Sequence, residues 1–184
     1  RLWPRTRRRS HTPTINTQGD HSNDIHTYIP PAADRPKSTA TGGSKIANFI
    51  ELQDKVLRHY GINAESQFVN IARPTMRVHL LKVGRGEPVL IFHGGDGEAW
   101  NWAPLMAEMQ NDICMYGIDR PGFGLSDHFD YQIVNVRKHA SDVVSSLLDA
   151  MGLEKVILFG GSMGGFFALC AALVVVVARR YTGE

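Results

Sequence analysis

Ser162 lies in the run Gly160-Gly161-Ser162-Met163-Gly164, a serine with glycine two positions to either side. A hydroxyl is a weak nucleophile until it is activated and held clear of its neighbours, and a G-x-S-x-G run can hold it so when it joins a strand to a helix. In such a turn the serine takes a strained backbone conformation, and side chains at 160 and 164 would collide, so glycine is required at both. The following helix brings its positive end to the serine, where developing negative charge is stabilised. The chemistry this suits is acyl transfer. It also needs two backbone N–H donors aimed at the oxyanion, each worth about 3–4 kcal/mol of barrier. Met163 supplies one. The other must come from a loop after an earlier strand, and Phe92-His93-Gly94-Gly95 provides such a loop, with Gly95 as the natural donor and Gly94 as the alternative.

The elements that would position these groups can be read from the apolar pattern. A helix is expected from Ser44, as N-cap, through Ile46, Phe49, Ile50, Val56, Leu57 and Tyr60 to a stop at Gly61. Strands follow at Gln67–Ala72 and Met76–Val83, then a turn at Gly84-Arg85-Gly86. Pro88–Phe92 is continuously apolar, as a strand covered on both faces must be, and Ile113–Ile118 and Lys155–Phe159 are expected to be buried strands too. Between them, one helix is expected over Trp102–Met109, with Asn101 as N-cap and a Trp100–Leu105 staple. Another is expected over Ile133–Met151, stopping at Gly152, with Val136, Ala140, Val143, Val144, Leu147, Leu148 and Met151 on one face. A last helix begins after Ser162. Strand–helix alternation of this kind means an α/β fold, a parallel sheet with helices on both faces.

Three motifs stand in order along this pattern: His93-Gly94-Gly95, Asp119-Arg120-Pro121-Gly122-Phe123-Gly124-Leu125-Ser126, and Gly160-Gly161-Ser162-Met163-Gly164-Gly165. Over about residues 67–173 the chain resembles the α/β-hydrolase superfamily, in the branch with esterases, carbon–carbon bond hydrolases and cofactor-free haloperoxidase-like enzymes. The resemblance implies a mostly parallel sheet with flanking helices, Ser162 as nucleophile, an oxyanion hole from Met163 and Gly95, and no metal or organic cofactor. It also implies that Asp119–Ser126 is mainly structural, so neither Asp119 nor Arg120 is nominated as catalytic. Serine at 162 separates the chain from dehalogenase and epoxide-hydrolase relatives, which carry aspartate there.

In that family the acid and the histidine base follow the nucleophile. Here 22 residues follow Ser162, Phe166–Ala178 is one apolar run, and the tail holds Glu184 as its sole acid and no histidine. Of the earlier histidines, His93 belongs to the oxyanion loop, while His79, His128 and His139 fall on a strand, a loop and a surface helix. Residues 44–184 are therefore expected to form an incomplete α/β-hydrolase domain that is nearly inert by itself. Such a domain would leave an apolar strand edge exposed at Lys155–Phe159 and be prone to aggregate. Val174–Val177 favours strand over helix, which raises the expectation of a frameshift or truncation near Val174.

Residues 1–43 are rich in Thr, Ser, Pro and Asn without periodic hydrophobics, and are expected to be a disordered tail, with a transit peptide as the alternative. The tail begins with Arg1, and no apolar core follows its arginines, so a secretory leader is not expected. The net charge of +2 hides an asymmetry: residues 1–19 carry five arginines and no acid, leaving 15 basic against 18 acidic residues in the remainder. Nothing there resembles the basic face that nucleic acid requires. A membrane span is not expected either, because 13 apolar residues fall short of about 20. Cys114 and Cys170 lie in apolar runs and read as buried thiols, which fits a cytoplasmic protein without requiring one. A small molecule is the expected substrate of the complete protein, and nothing in the sequence sets an oligomeric state. A nucleotide-binding module would need G-x-G-x-x-G or G-x-x-x-x-G-K-[ST], and neither is present. The competing reading is a non-catalytic interaction or regulatory product.

Overall fold

The computed structural model describes residues 40–132 and 134–182. Its elements follow the order α1 (Ala40–His59), β1 (Ala64–Ala72), β2 (Thr75–Gly84), β3 (Glu87–Phe92), a 3-10 turn (Ala99–Trp102), α2 (Ala103–Met109), β4 (Ile113–Ile118), α3 (Val136–Met151), β5 (Ile157–Gly160) and α4 (Met163–Thr182). The five strands form one sheet in the order β1-β2-β4-β3-β5. β2 pairs antiparallel with both β1 and β4, while β3 pairs parallel with β4 and β5. β2 therefore runs against the other four strands.

Side-chain alternation splits the core into two layers. On one face Val78, Leu80, Leu90, Phe92 and Ile118 pack with Ala140, Val143, Val144 and Leu147 of α3 and with Phe167 and Ala171 of α4. On the other, Leu81, Val83, Val89, Ile91 and Met115 pack with Leu57 of α1, Ala99 of the 3-10 turn, and Ala103 and Met106 of α2. Each buried Val, Leu, Ile, Phe or Met among them contributes roughly 1.5–3 kcal/mol relative to exposure. Both free cysteines are buried. Among the described residues no helix is long and apolar enough to cross a membrane.

Several boundaries differ from the sequence pattern. The expected tail at 1–43 lies outside the described residues for 1–39, whereas 40–43 are the first turn of α1, so Ser44 is an exposed interior position rather than an N-cap. The helix does end where glycine predicts, with Gly61 N–H donating to Arg58 O at 3.1 Å and Ile62 N–H to Leu57 O at 2.9 Å. Asn101 does not cap α2. Its Oδ1 accepts from Glu98 N–H at 3.2 Å, which makes Glu98 the cap of the preceding 3-10 turn. Trp100 stands edge-on to Phe49, centroids 6.3 Å apart, and so ties that turn to α1. α3 starts after Asn135, whose Oδ1 accepts from Lys138 N–H at 3.1 Å. Ile133, where that helix was expected to begin, lies outside the described residues.

β5 is shorter than expected and is not a strand covered on both faces. It is the last strand of the sheet, and Ile157 and Phe159 are 52% and 42% exposed. Their register with Val89 and Ile91 puts them on the α1/α2 face, where Phe159 meets Trp102 at 5.2 Å and no helix among the described residues lies beyond. The helical backbone continues through Val174–Val177.

Candidate active site

β5 ends and α4 begins around Ser162, the one non-glycine residue with positive φ (54°) among the described residues. The reason is local crowding. A Cβ at Gly160 would overlap the Gly164 backbone, and a Cβ at Gly164 would overlap the carbonyls of Phe92 and His93. The chain can turn this sharply only with bare backbone at both positions, as the spacing predicts. Ser162 and Met163 are left exposed, Met163 at the first position of α4, and Phe166 N–H donates to Ser162 O at 3.1 Å.

Phe92 pairs with Gly160, so the loop that follows β3 starts beside this turn. Gly94 is the residue that abuts the serine: its Cβ position would lie 3.7 Å from both Ser162 Cβ and Gly161 O, whereas Gly95 has nothing within 4 Å of its own. The 94–95 peptide is trans, and Gly94 O accepts from His93 Nδ1 at 2.8 Å and from Arg120 Nη2 at 2.6 Å. In a trans peptide the N–H points opposite to the preceding C=O. Gly95 N–H therefore points away from Arg120. Neither it nor the Met163 N–H, an orphan of the first helical turn, has an acceptor among the described residues.

His93 is 1% exposed and fully engaged, donating from Nδ1 to Gly94 O and accepting at Nε2 from Arg120 N–H at 3.1 Å. Burial, reinforced by the Arg120 charge, lowers its pKa from 6.5 to about 4. It shapes backbone and has no lone pair left for a base. This has a pH consequence. Between about 6.5 and 4 the unfolded chain takes up a proton that folded His93 refuses, so stability present above 6.5 is lost as pH falls. His139, also lowered by burial, acts in the same direction. Urea unfolding at pH 7.5 and 4.5 should show a decline that shrinks in His93→Asn; equal declines would remove His93 as a cause.

His79, fully buried, donates from Nδ1 to Asp119 Oδ2 at 2.7 Å and accepts at Nε2 from Ser66 Oγ at 2.8 Å. Asp119, equally buried, also accepts Ala99 N–H at 2.7 Å and Leu125 N–H at 2.9 Å. This serine–histidine–carboxylate chain joins β1, β2, the end of β4 and the 3-10 turn. His139, placed by the sequence on a surface helix, is 5% exposed and stacks on Phe129 with centroids 4.1 Å apart. His128 is exposed on its loop. Among the described residues no histidine or carboxylate is hydrogen-bonded to Ser162 Oγ.

Arg120 is the residue that sequence reasoning passed over. It is 2% exposed, reaches Gly94 O and, at 3.2 Å, Gly95 O, and lies 4.5 Å above the Phe123 ring and 5.2 Å from that of Phe167. The available signal was its place directly after β4, whose last residue pairs with Phe92.

A family model described as alpha/beta hydrolase fold matches residues 87–176. The chain is 37% identical over 122 residues to a 2-hydroxy-6-oxo-6-phenylhexa-2,4-dienoate hydrolase of Burkholderia cepacia, covering 59% of this chain and 40% of that protein. It is 32% identical over 98 residues to a pimeloyl-[acyl-carrier protein] methyl ester esterase of Legionella pneumophila, covering 53% and 37%. The chain thus spans about two fifths of the length of these curated relatives. In fold it is similar to carboxylesterase CesB of Bacillus subtilis, with TM-score 0.60, 22% identity and coverage of 71% of this chain and 45% of that one. Naproxen esterase of the same organism gives TM-score 0.62, 18% identity and coverage of 75% and 47%. The sheet order, the motif order and these likenesses agree, and the fold of the chain is that of the α/β hydrolases.

Proposed function

We propose that Ser162 is the nucleophile of a serine hydrolase that acts on an ester-like or carbonyl small molecule through an acyl-enzyme. The observation that carries this reading is the positive φ of Ser162 between two glycines that no other residue could replace. Strain of this kind costs of order 1–3 kcal/mol and persists where the surroundings impose it. In the proposed reaction Ser162 Oγ attacks the substrate carbonyl, and its proton passes to a base. Met163 N–H and Gly95 N–H receive the oxyanion, and the leaving group departs with a proton. Water then cleaves the ester. With no imidazole hydrogen-bonded to Ser162 among the described residues, the chain by itself is expected to retain only the share of catalysis due to binding and the oxyanion hole, about 10³–10⁴-fold over water in related chemistry.

The test is a fluorophosphonate probe with peptide mapping. Slow labelling at Ser162, abolished in Ser162→Ala, is the expected result. Label that maps instead to Ser66, whose hydroxyl lies 2.8 Å from His79 Nε2, would transfer the role to that serine. A non-catalytic, partner-binding reading draws on the exposed Ile157, Phe159, Met163, Leu169 and Leu173, and absence of labelling would favour it.

A further inference from the structure

The peptide between Gly94 and Gly95 decides whether an oxyanion hole exists beside Ser162. With glycine on both sides, that peptide has little steric preference between its two orientations. Something else must choose. Two donors converge on its carbonyl, His93 Nδ1 and Arg120 Nη2, and the same Arg120 nitrogen also reaches Gly95 O. A charge-assisted bond of this kind is roughly twice as strong as a neutral one. His93 in turn receives the Arg120 N–H, so side chain and main chain of the two residues interlock.

Arg120 is also unusual in its surroundings. A buried cation is normally paired with a carboxylate. No ion pair is formed by Arg120 among the described residues: its partners are two carbonyls and the faces of Phe123 and Phe167, and its Nε has no acceptor. The fold bears the desolvation of this charge and directs it at one loop.

We propose that Arg120 is a positioning residue for catalysis: by holding the carbonyls of Gly94 and Gly95, it turns the Gly95 N–H toward the space beside Ser162, where an anionic tetrahedral species would sit. This rests on the reading of Ser162 as nucleophile. Without the clamp the peptide samples the flipped orientation, which presents a carbonyl oxygen to the oxyanion and repels it. Arg120 touches the loop and the rings of Phe123 and Phe167, the latter part of the core layer on α4, so its variants are compared only where they are folded.

Two measurements test this. The first is the rate of fluorophosphonate labelling at Ser162 in wild type, Arg120→Met and Arg120→Lys, each at a temperature where it is folded. Loss of one oxyanion donor lowers such rates about 10²–10³-fold, which is the drop expected for Arg120→Met. Arg120→Lys should fall between. The second is the N–H residual dipolar coupling of Gly95, which reads peptide orientation independently of chemistry and should change in both variants. Should Arg120→Met fail to fold, Arg120→Lys decides. Either folded variant labelling within threefold of wild type, with the Gly95 coupling unchanged, overturns the proposal and leaves Ser162 as nucleophile. A wild-type chain that never labels at Ser162 overturns both.

Discussion

Asp119→Ala is expected to destabilise the chain by about 3–5 kcal/mol, the range for removing one partner of a buried polar pair. The carboxylate is the sole acceptor for three donors: His79 Nδ1–H, Ala99 N–H and Leu125 N–H. Alanine leaves two buried donors and the part-buried Leu125 N–H without that partner, at about 1–3 kcal/mol for each buried one before relaxation. Relaxation is limited because Gly124 approaches so closely that a Cβ there would overlap the carboxylate, so the loop has been drawn in around this one group. The damage should extend past Asp119, since His79 then loses its orientation and with it the bond to Ser66 on β1. Urea denaturation of the purified variants checks this. A loss under about 1 kcal/mol would mean that the network is slack and the loop is held elsewhere.

The second large effect is expected at Gly164. A methyl group there would enter the carbonyls of Phe92 and His93, which are backbone atoms of the central strand and its loop and cannot swing aside. Overpacking typically costs about 1–3 kcal/mol, and a clash with backbone belongs at or above the upper end. Gly164→Ala should therefore lose about 3 kcal/mol and stop labelling at Ser162, because α4 must back away from β3. Gly95→Ala is the control. Its Cβ would meet nothing within 4 Å, and its stability should stay within about 0.5 kcal/mol of wild type. Equal stability of the two variants would show that the turn is looser than its geometry implies.

Much of this could be read from residue order. Ile113–Ile118 is found at the expected boundaries because an unbroken apolar run closed by polar residues leaves a covered strand little latitude. The glycines at 160 and 164 announced the turn because no other residue type satisfies it. What escaped was set by distant neighbours. Ala40 to Gly43 have no apolar side chain larger than a methyl group, so a first helical turn there leaves no periodic trace. Asn101 has the chemistry of a cap, but the Glu98 N–H was within its reach one turn earlier. The uncovered border at Ile157 and Phe159 agrees with the apolar edge expected at Lys155–Phe159, but not with the cover on both faces expected of that strand, because composition does not specify strand order. Arg120 acts across 25 and 26 residues of chain on two carbonyls, and a backbone acceptor carries no sequence signature at all. His139 lies on a helix whose polar residues read as outward, yet Phe129, from the preceding loop, covers it.

The two flanks of the sheet are not alike. The outer face of β1 is guarded by charge, with Glu65 paired to Lys82 at 3.2 Å, and such a border discourages another strand from joining. At β5 the border is unguarded, and its backbone row runs past two bare apolar side chains straight into Ser162. Recruitment of a strand is thus steered to a single flank. A strand paired along β5 would satisfy its free backbone row beside the turn that carries Ser162.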